Sequence, residues 1–218
     1  MEMKCAYCKS LACVMGGTKG PKGCPMNEYM NVIEKTRQEY KKPHVRKLAS
    51  NAGIVEASGY IKWPRLREII EFSRLMQYKK LGVAFCIGLQ EEAATVSKIL
   101  EEAGFEVYSV NCKVGATPKE DIGIPKEYQG TSKTGYEIGY VTCNPIGQAL
   151  LLAEAETELN IALGLCVGHD SLFFKYSKAP VTVLAAKDRT SGHNPLGFIK
   201  THYGRKYFQK LLSKQNIK

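Results

Sequence analysis

The chain has 218 residues, of which 44% are hydrophobic and 24% are charged, and its formal net charge is +10. This composition is typical of a globular protein with a sizeable core and excludes a disordered chain. No apolar run approaches the roughly 18 residues that a membrane span needs. The first residues carry charge where a signal peptide would be apolar. We therefore expect a cytoplasmic protein with no membrane partner.

Hydrophobic periodicity predicts elements of two kinds in chain order. Helices are expected over 27–41, over 44–57 and from Pro64 onward, after a loop rich in cysteine and glycine. From Leu81 short apolar runs alternate with amphipathic helices. The predicted strands are 81–87, 105–110, 160–166 and 181–186, and the predicted helices are 91–103, 145–159 and 168–177. A long excursion is expected over 113–140, and a closing amphipathic helix with Phe208, Leu211 and Leu212 facing inward.

Alternation of strands and helices predicts an α/β fold, a three-layer parallel sheet of about four strands with flavodoxin- or Rossmann-like order. The net charge is +9 over 1–80, −6 over 81–180 and +7 over 181–218. The shift near Lys80 predicts a boundary between a cysteine-rich metal-binding loop with a helical region, 1–80, and an α/β domain, 81–218. The basic ends favour a lysine-rich solvated surface over a nucleic-acid interface, so nucleic acid is not an expected partner.

Eight cysteines are the most informative feature of the composition. In a reducing cytosol, clustered cysteines indicate metal or redox chemistry rather than disulfides. Four of them are close in sequence and have spacings that suit a four-sulfur shell: Cys5, Cys8, Cys13 and Cys24. Zinc or an iron–sulfur cluster would accept such a shell. Cys24 precedes a proline, as does the last ligand of a bacterial ferredoxin run, which favours a [4Fe-4S] cluster over zinc.

The other four cysteines are scattered in sequence. Cys86, Cys112 and Cys166 follow or end predicted strands, and Cys143 precedes a predicted helix. In a parallel sheet the carboxyl ends of the strands share one edge, where ligands bind. We therefore expect these four thiols to meet as a second metal or cluster site. Alternatively they are catalytic thiols or ordinary buried cysteines.

Three segments carry a resemblance to a known family: Met3-Lys4-Cys5-Ala6-Tyr7-Cys8, the strand-end cysteines, and Leu165-Cys166-Val167-Gly168-His169-Asp170. They resemble an uncharacterised prokaryotic family of predicted cysteine-rich metal-binding proteins, a domain of unknown function. The resemblance implies that the cysteines bind metal. It implies no particular reaction.

Further polar residues are predicted at the same sheet edge. His169, Asp170 and His193 are candidate catalytic groups, and Lys187, Arg189 and Asn194 are candidate ligands for a small anion. Asn144 and Gln148 are placed near this edge by the helix that follows Cys143. Local capping and exposed turns are the simpler roles for several of these side chains.

These patterns together predict a cysteine-rich metal-binding protein with one or two iron–sulfur clusters and a redox or anion-binding site. An electron-transfer protein would be its partner, and redox or sulfur chemistry would be its reaction if it is an enzyme. One alternative is a zinc-stapled module, with zinc at the N-terminal cysteines, that contacts nucleic acid or protein. Another alternative is a transferase with a cysteine nucleophile.

Overall fold

The computed structural model describes residues 3–17 and 19–215. It divides the chain into two compact units, Met1–Trp63 and Pro64–Lys218. The composition shift placed a boundary near Lys80, one helix later. The helix in question, Arg65–Met76, belongs to the second unit because its Ile69 is buried in the core of that unit.

The first unit contains three α-helices and one short 3-10 helix, Cys5–Tyr7, among its described residues. The α-helices are α1 (Pro25–Glu28), α2 (Met30–Glu39) and α3 (Pro43–Gly59). The predicted helix over 27–41 is interrupted at Tyr29, whose backbone (φ −127°, ψ 42°) leaves the helical region. Pro25 and Pro43 stand at first-turn positions, where the missing N–H of proline leaves no bond unmade.

The second unit is built on a parallel sheet with helices on both faces. Its helices are α4 (Arg65–Met76), α5 (Gln90–Glu102), α6 (Pro145–Glu154), α7 (His169–Tyr176), α8 (Pro195–Lys200) and α9 (His202–Gln215). Its strands are β1 (Lys80–Phe85), β2 (Glu106–Asn111), β3 (Gly130–Thr131), β4 (Glu137–Gly139), β5 (Leu159–Leu165) and β6 (Val181–Ala186). β3 and β4 form a separate small hairpin within the predicted excursion.

The four long strands have the order β2-β1-β5-β6, and neighbouring strands are parallel. This confirms the predicted α/β fold with flavodoxin-like order, in which the first and third long strands are neighbours. Alternate side chains of β1 supply two cores. Val83 and Phe85 pack with α4 and α5 on one face, and Ala84 packs with Leu152 of α6 and Phe173 of α7 on the other.

The C-terminal region differs from its prediction. The expected closing helix is two helices, because Thr201 is extended and its Oγ1 accepts the N–H of Gly204. Phe208, Leu211 and Leu212 are all exposed, although Phe208 also packs edge-on against Phe198 of α8. The prediction that these leucines face inward was wrong, because α9 contacts α8 through the aromatic side chains of Tyr207 and Phe208. None of the described helices has the length and apolar character that a membrane crossing requires.

Candidate functional site

Four cysteines of the second unit meet at the carboxyl edge of the sheet. Cys86 directly follows β1, Cys112 directly follows β2 and Cys166 directly follows β5, while Cys143 stands two residues before α6. The parallel order of the strands brings these thiols to one edge although up to 80 residues separate them in sequence. We call Cys143, Cys112, Cys86 and Cys166, in that spatial order, the thiol row.

Each thiol of the row interacts with the next. The Sγ atoms of Cys143 and Cys112 lie 3.7 Å apart. The side chains of Cys112 and Cys166 both act on Cys86 and lower its pKa. The backbone N–H of Ile87 donates to the sulfur of Cys112 over 3.4 Å. The row is thus continuous across three strand ends and one helix start.

A basic side chain stands at each end of the thiol row. The Arg189 guanidinium donates from Nη2 to the sulfur of Cys166 over 3.5 Å. At the other end the interaction with Cys143 raises the pKa of the His169 imidazole. The Nδ1 atom of His169 is buried and has no hydrogen-bond partner in the described chain. Each of these side chains favours the thiolate form of the sulfur beside it.

The four thiols of the row differ in pKa because each interacts with its neighbours. The side chains of Cys112 and Cys166 lower the pKa of Cys86. The side chain of Cys112, followed by that of His169, lowers the pKa of Cys143 to about 4. The pKa values of Cys112 and Cys166 are raised by their interactions with neighbouring thiols and by burial. Lowered and raised pKa values therefore alternate along the row.

Lysines add positive charge around the same thiols. The positive charge of Lys113 lowers the pKa of Cys143, and that of Lys187 lowers the pKa of Cys86. Lys119 is buried, its Nζ donates to the carbonyl of Ile138, and desolvation lowers its pKa. Sequence reasoning missed Lys113 and Lys119. The position of Lys113 directly after Cys112 was an available signal, whereas Lys119 approaches Cys143 only through the folded excursion.

Three other predicted site residues bond to their own local backbone. Asp170 accepts the N–H of Ser171. His193 accepts the N–H of Asp188 at Nδ1, and Asn194 accepts the N–H of Gly197 at the start of α8. None of these hydrogen bonds reaches the thiol row, and the catalytic or anion-binding roles of the three side chains remain predictions.

The N-terminal cysteines belong to the first unit. Cys5, Cys8 and Cys24 line a cavity of about 450 Å³, together with Lys4, Lys9 and Lys22. Cys13 is exposed and is not among the residues that line this cavity. The structure therefore brings three of the four predicted ligands to one cavity.

The loop that carries Cys24 is fixed by an amide. Asn27 donates from Nδ2 to the carbonyls of Gly20 and Pro21, and its Oδ1 accepts the N–H of Gly20. A Cβ on Gly20 would come within 2.3 Å of the Cys24 sulfur, so only glycine fits there. The thiol of Cys24 is thus positioned by a defined turn.

All eight cysteines are free of disulfides. Within residues 3–17 and 19–215, no three His, Cys, Asp or Glu side chains are already grouped as a shell for a single metal ion. The thiol row is extended, and its sulfurs would have to rotate inward to enclose a common centre. The donor chemistry, four soft sulfur ligands at one edge, nevertheless fits zinc or an iron–sulfur centre.

Comparison with known proteins identifies the family. The family model described as "Protein of unknown function (DUF1847)" matches residues 24–184. The chain belongs to the DUF1847 family. It is also 46% identical over 210 residues to the uncharacterized protein MJ0455 of Methanocaldococcus jannaschii, covering 96% of this chain and 98% of that protein. No solved structure matches the chain. These relatives confirm the resemblance to an uncharacterised domain and assign no reaction.

Proposed function

We propose that this DUF1847 protein binds metal through its cysteines, with an iron–sulfur centre held by the thiol row and used in redox or small-anion chemistry. The continuous row of four interacting thiols carries the proposal. Interactions with the neighbouring thiols, together with burial, raise the pKa values of Cys112 and Cys166, so these two sulfurs resist ionisation without a metal. A metal centre would neutralise all four thiolates at once.

The spacing within the row supports shared ligation. Two thiolates bound to one tetrahedral metal at about 2.3 Å lie roughly 3.8 Å apart. The sulfurs of Cys112 and Cys143 are 3.7 Å apart. Arg189 and Lys187 would lie beside the centre, where a cationic side chain favours an anionic ligand or a reduced cluster. An electron-transfer protein is the corresponding partner.

The N-terminal cavity is proposed as a second thiolate site. Cys5, Cys8 and Cys24 line it, and three lysines around it would balance the negative charge of a cluster. Cys13 would complete a four-sulfur set by movement of its loop. A [4Fe-4S] cluster is our proposal there, and structural zinc is the alternative, in which case the basic first unit would act as a binding module.

Metal analysis of paired variants tests both sites. Anaerobically purified protein is expected to contain iron and acid-labile sulfide and to absorb visible light. The Cys86→Ser/Cys166→Ser variant should lose the iron and sulfide bound by the thiol row. The matched Cys5→Ser/Cys8→Ser variant should lose the iron and sulfide bound at the cavity. Stoichiometric zinc without sulfide would establish the zinc alternative. Purified protein that contains neither iron nor zinc would overturn the proposal for the thiol row. So would an unchanged metal content in the Cys86→Ser/Cys166→Ser variant.

One observation favours a second candidate, a transferase with a cysteine nucleophile. The pKa of Cys143 is lowered to about 4 beside His169, and a thiolate paired with a histidine is a typical nucleophilic arrangement. In this case Cys143→Ser would leave the metal content unchanged, whereas ligation by Cys143 predicts a loss of metal. The same elemental analysis therefore separates the two candidates.

A further inference from the structure

Gln148 of α6 is a fully buried amide next to the thiol row. Its Nε2 donates to the carbonyl of Phe85 over 3.1 Å and to that of Val110 over 2.7 Å. Its Oε1 is also buried and has no hydrogen-bond partner in the described chain. Both bonds of this side chain thus come from its NH₂ group, and half of its bonding capacity is unused.

The two carbonyls belong to the ends of two neighbouring strands. Phe85 ends β1 and immediately precedes Cys86, and Val110 lies two residues before Cys112 near the end of β2. One planar NH₂ group that bonds both carbonyls fixes the distance between these strand ends. The backbones that carry two adjacent thiols of the row are therefore tied together just before the thiols themselves.

The same helix ties a third thiol to this arrangement. Asn144 lies one turn before Gln148, and its backbone N–H donates to the carbonyl of Cys112 over 2.7 Å. Its side-chain Nδ2 donates to the carbonyl of Val114 over 3.2 Å. Because Cys143 directly precedes Asn144, these bonds hold the start of α6, and with it Cys143, against the end of β2.

We infer that Gln148 is a positioning residue of the thiol row, which fixes the spacing of Cys86 and Cys112 by joining the ends of β1 and β2. A buried amide with an unpartnered oxygen is a poor choice for packing alone. Its two donated bonds explain its presence. The consequence for metal binding rests on the proposed function, whereas the effect on the spacing of the thiols does not.

Cross-linking of the reduced, metal-free full-length chain tests the spacing directly. The probe is dibromobimane, which bridges two neighbouring thiols, and the Cys86–Cys112 product is identified by peptide mapping. Gln148→Leu is expected to lower the yield of this product at least fivefold. The matched control is Asn160→Leu, which replaces another buried, hydrogen-bonded amide with leucine at the opposite end of β5. The yield of the Cys86–Cys112 product in Asn160→Leu should stay within twofold of the yield in the parent protein.

A flexible replacement guards against loss of the fold. Gln148→Met has nearly the size of glutamine and no donor, so it should lower the yield as Gln148→Leu does while circular dichroism remains native. Equal Cys86–Cys112 yields in the parent and in a folded Gln148 variant would overturn the inference. So would equal losses in the Gln148 and Asn160 variants, since that result would indicate a general effect of instability.

Metal content of the same variants separates this inference from the proposed function. If the parent binds metal, Gln148→Met should retain less than half of the metal of the thiol row, and full retention would overturn the positioning role. If the parent binds none, the proposed function fails, while the cross-linking yields still decide the inference.

Discussion

The thiols of the row share one residue type and differ in their affinity for a proton. The interaction with Cys112, followed by the one with His169, lowers the pKa of Cys143 to about 4. The interactions of Cys112 with Cys143 and Cys86 raise its own pKa. The pKa of Cys86 is also lowered, but Cys86 is buried whereas Cys143 is half-buried. Since the thiolate is the nucleophilic form, Cys143 should be the accessible thiol of the row that reacts with electrophiles at acidic pH. Burial alone would have had the opposite effect.

This difference predicts the pH dependence of alkylation in metal-free protein. A lowered pKa keeps Cys143 as thiolate down to about pH 4. Its rate with iodoacetamide should therefore be nearly flat from pH 5 to 8, whereas the rate of an ordinary thiol rises about tenfold per pH unit over that range. Mass spectrometry of the Cys143 peptide measures the rate, with glutathione as the reference.

Two variants test the cause of this lowered pKa. Cys112→Ala removes the largest contribution and should move the alkylation profile of Cys143 towards that of an ordinary thiol. His169→Gln removes the next contribution and should produce a smaller shift in the same direction. A parent rate that rises tenfold per pH unit from pH 5 would contradict the assigned thiolate, and a larger effect of His169→Gln would contradict the order of causes.

Sequence reasoning predicted the members of the row but not which thiols interact with one another. Cys86, Cys112 and Cys166 could be placed because strand ends follow from apolar runs, and parallel strands share their carboxyl edge. Which thiol donates to which depends on sulfur positions within a few ångströms, and these depend on side-chain packing. The hydrophobic pattern likewise did not predict the interaction of Lys119 with Cys143, because it depends on how the excursion over 113–140 folds.

At the scale of elements, β5 contains an irregularity that positions the thiol after it. The register between β5 and β6 shifts on both sides of Leu163, and Gly164 has a φ of +67°. A Cβ at Gly164 would come within 2.1 Å of Leu89 Cδ1. Cys166 lies two residues further along the chain. The bulge thus directs the end of the strand, and a side chain at Gly164 would have a strained backbone and would displace the buried Leu89.

Gly164→Ala is expected to destabilise the second unit by roughly 2–4 kcal/mol, from a left-handed non-glycine residue and a core overlap. Urea unfolding followed by circular dichroism measures this loss. The same change at Gly53, inside α3 with nothing within 4 Å, should instead stabilise its helix by about 1 kcal/mol. If the two substitutions changed the free energy of unfolding by similar amounts, the backbone and surroundings of Gly164 would not disfavour a side chain there.

The sequence predicted which segments are helices or strands better than it predicted the interruptions and bulges within them. Strand β6 has the predicted bounds, because a bounded run of apolar residues defines a short strand. The interruption at Tyr29 and the bulge at Gly164 were not predicted. Both depend on local backbone angles that tertiary contacts select, and neither changes the hydrophobic period around it.

At the scale of the whole molecule, the two units differ in the cores they possess. The second unit has a buried cluster on each face of its sheet. In the described part of Met1–Trp63, Val55 is the one hydrophobic side chain in the buried core. A unit of this size with so little buried apolar surface gains little from the hydrophobic effect, so another source of stability is required. Metal at the cavity of Cys5, Cys8 and Cys24 would provide one.

Removal of metal should therefore affect the two units unequally. After anaerobic purification, chelation is expected to increase trypsin cleavage within residues 1–63 at least tenfold, because the ligands no longer close the cysteine loop. Cleavage within residues 64–218 should change less than twofold, since its two hydrophobic clusters remain. Timed digestion with mass spectrometry measures both rates. The Cys5→Ser/Cys8→Ser variant should behave like the chelated protein from the start, whereas Cys86→Ser/Cys166→Ser should keep residues 1–63 protected. If chelation accelerated cleavage equally in both units, or if residues 1–63 stayed protected without metal, the cavity would have no stabilising role.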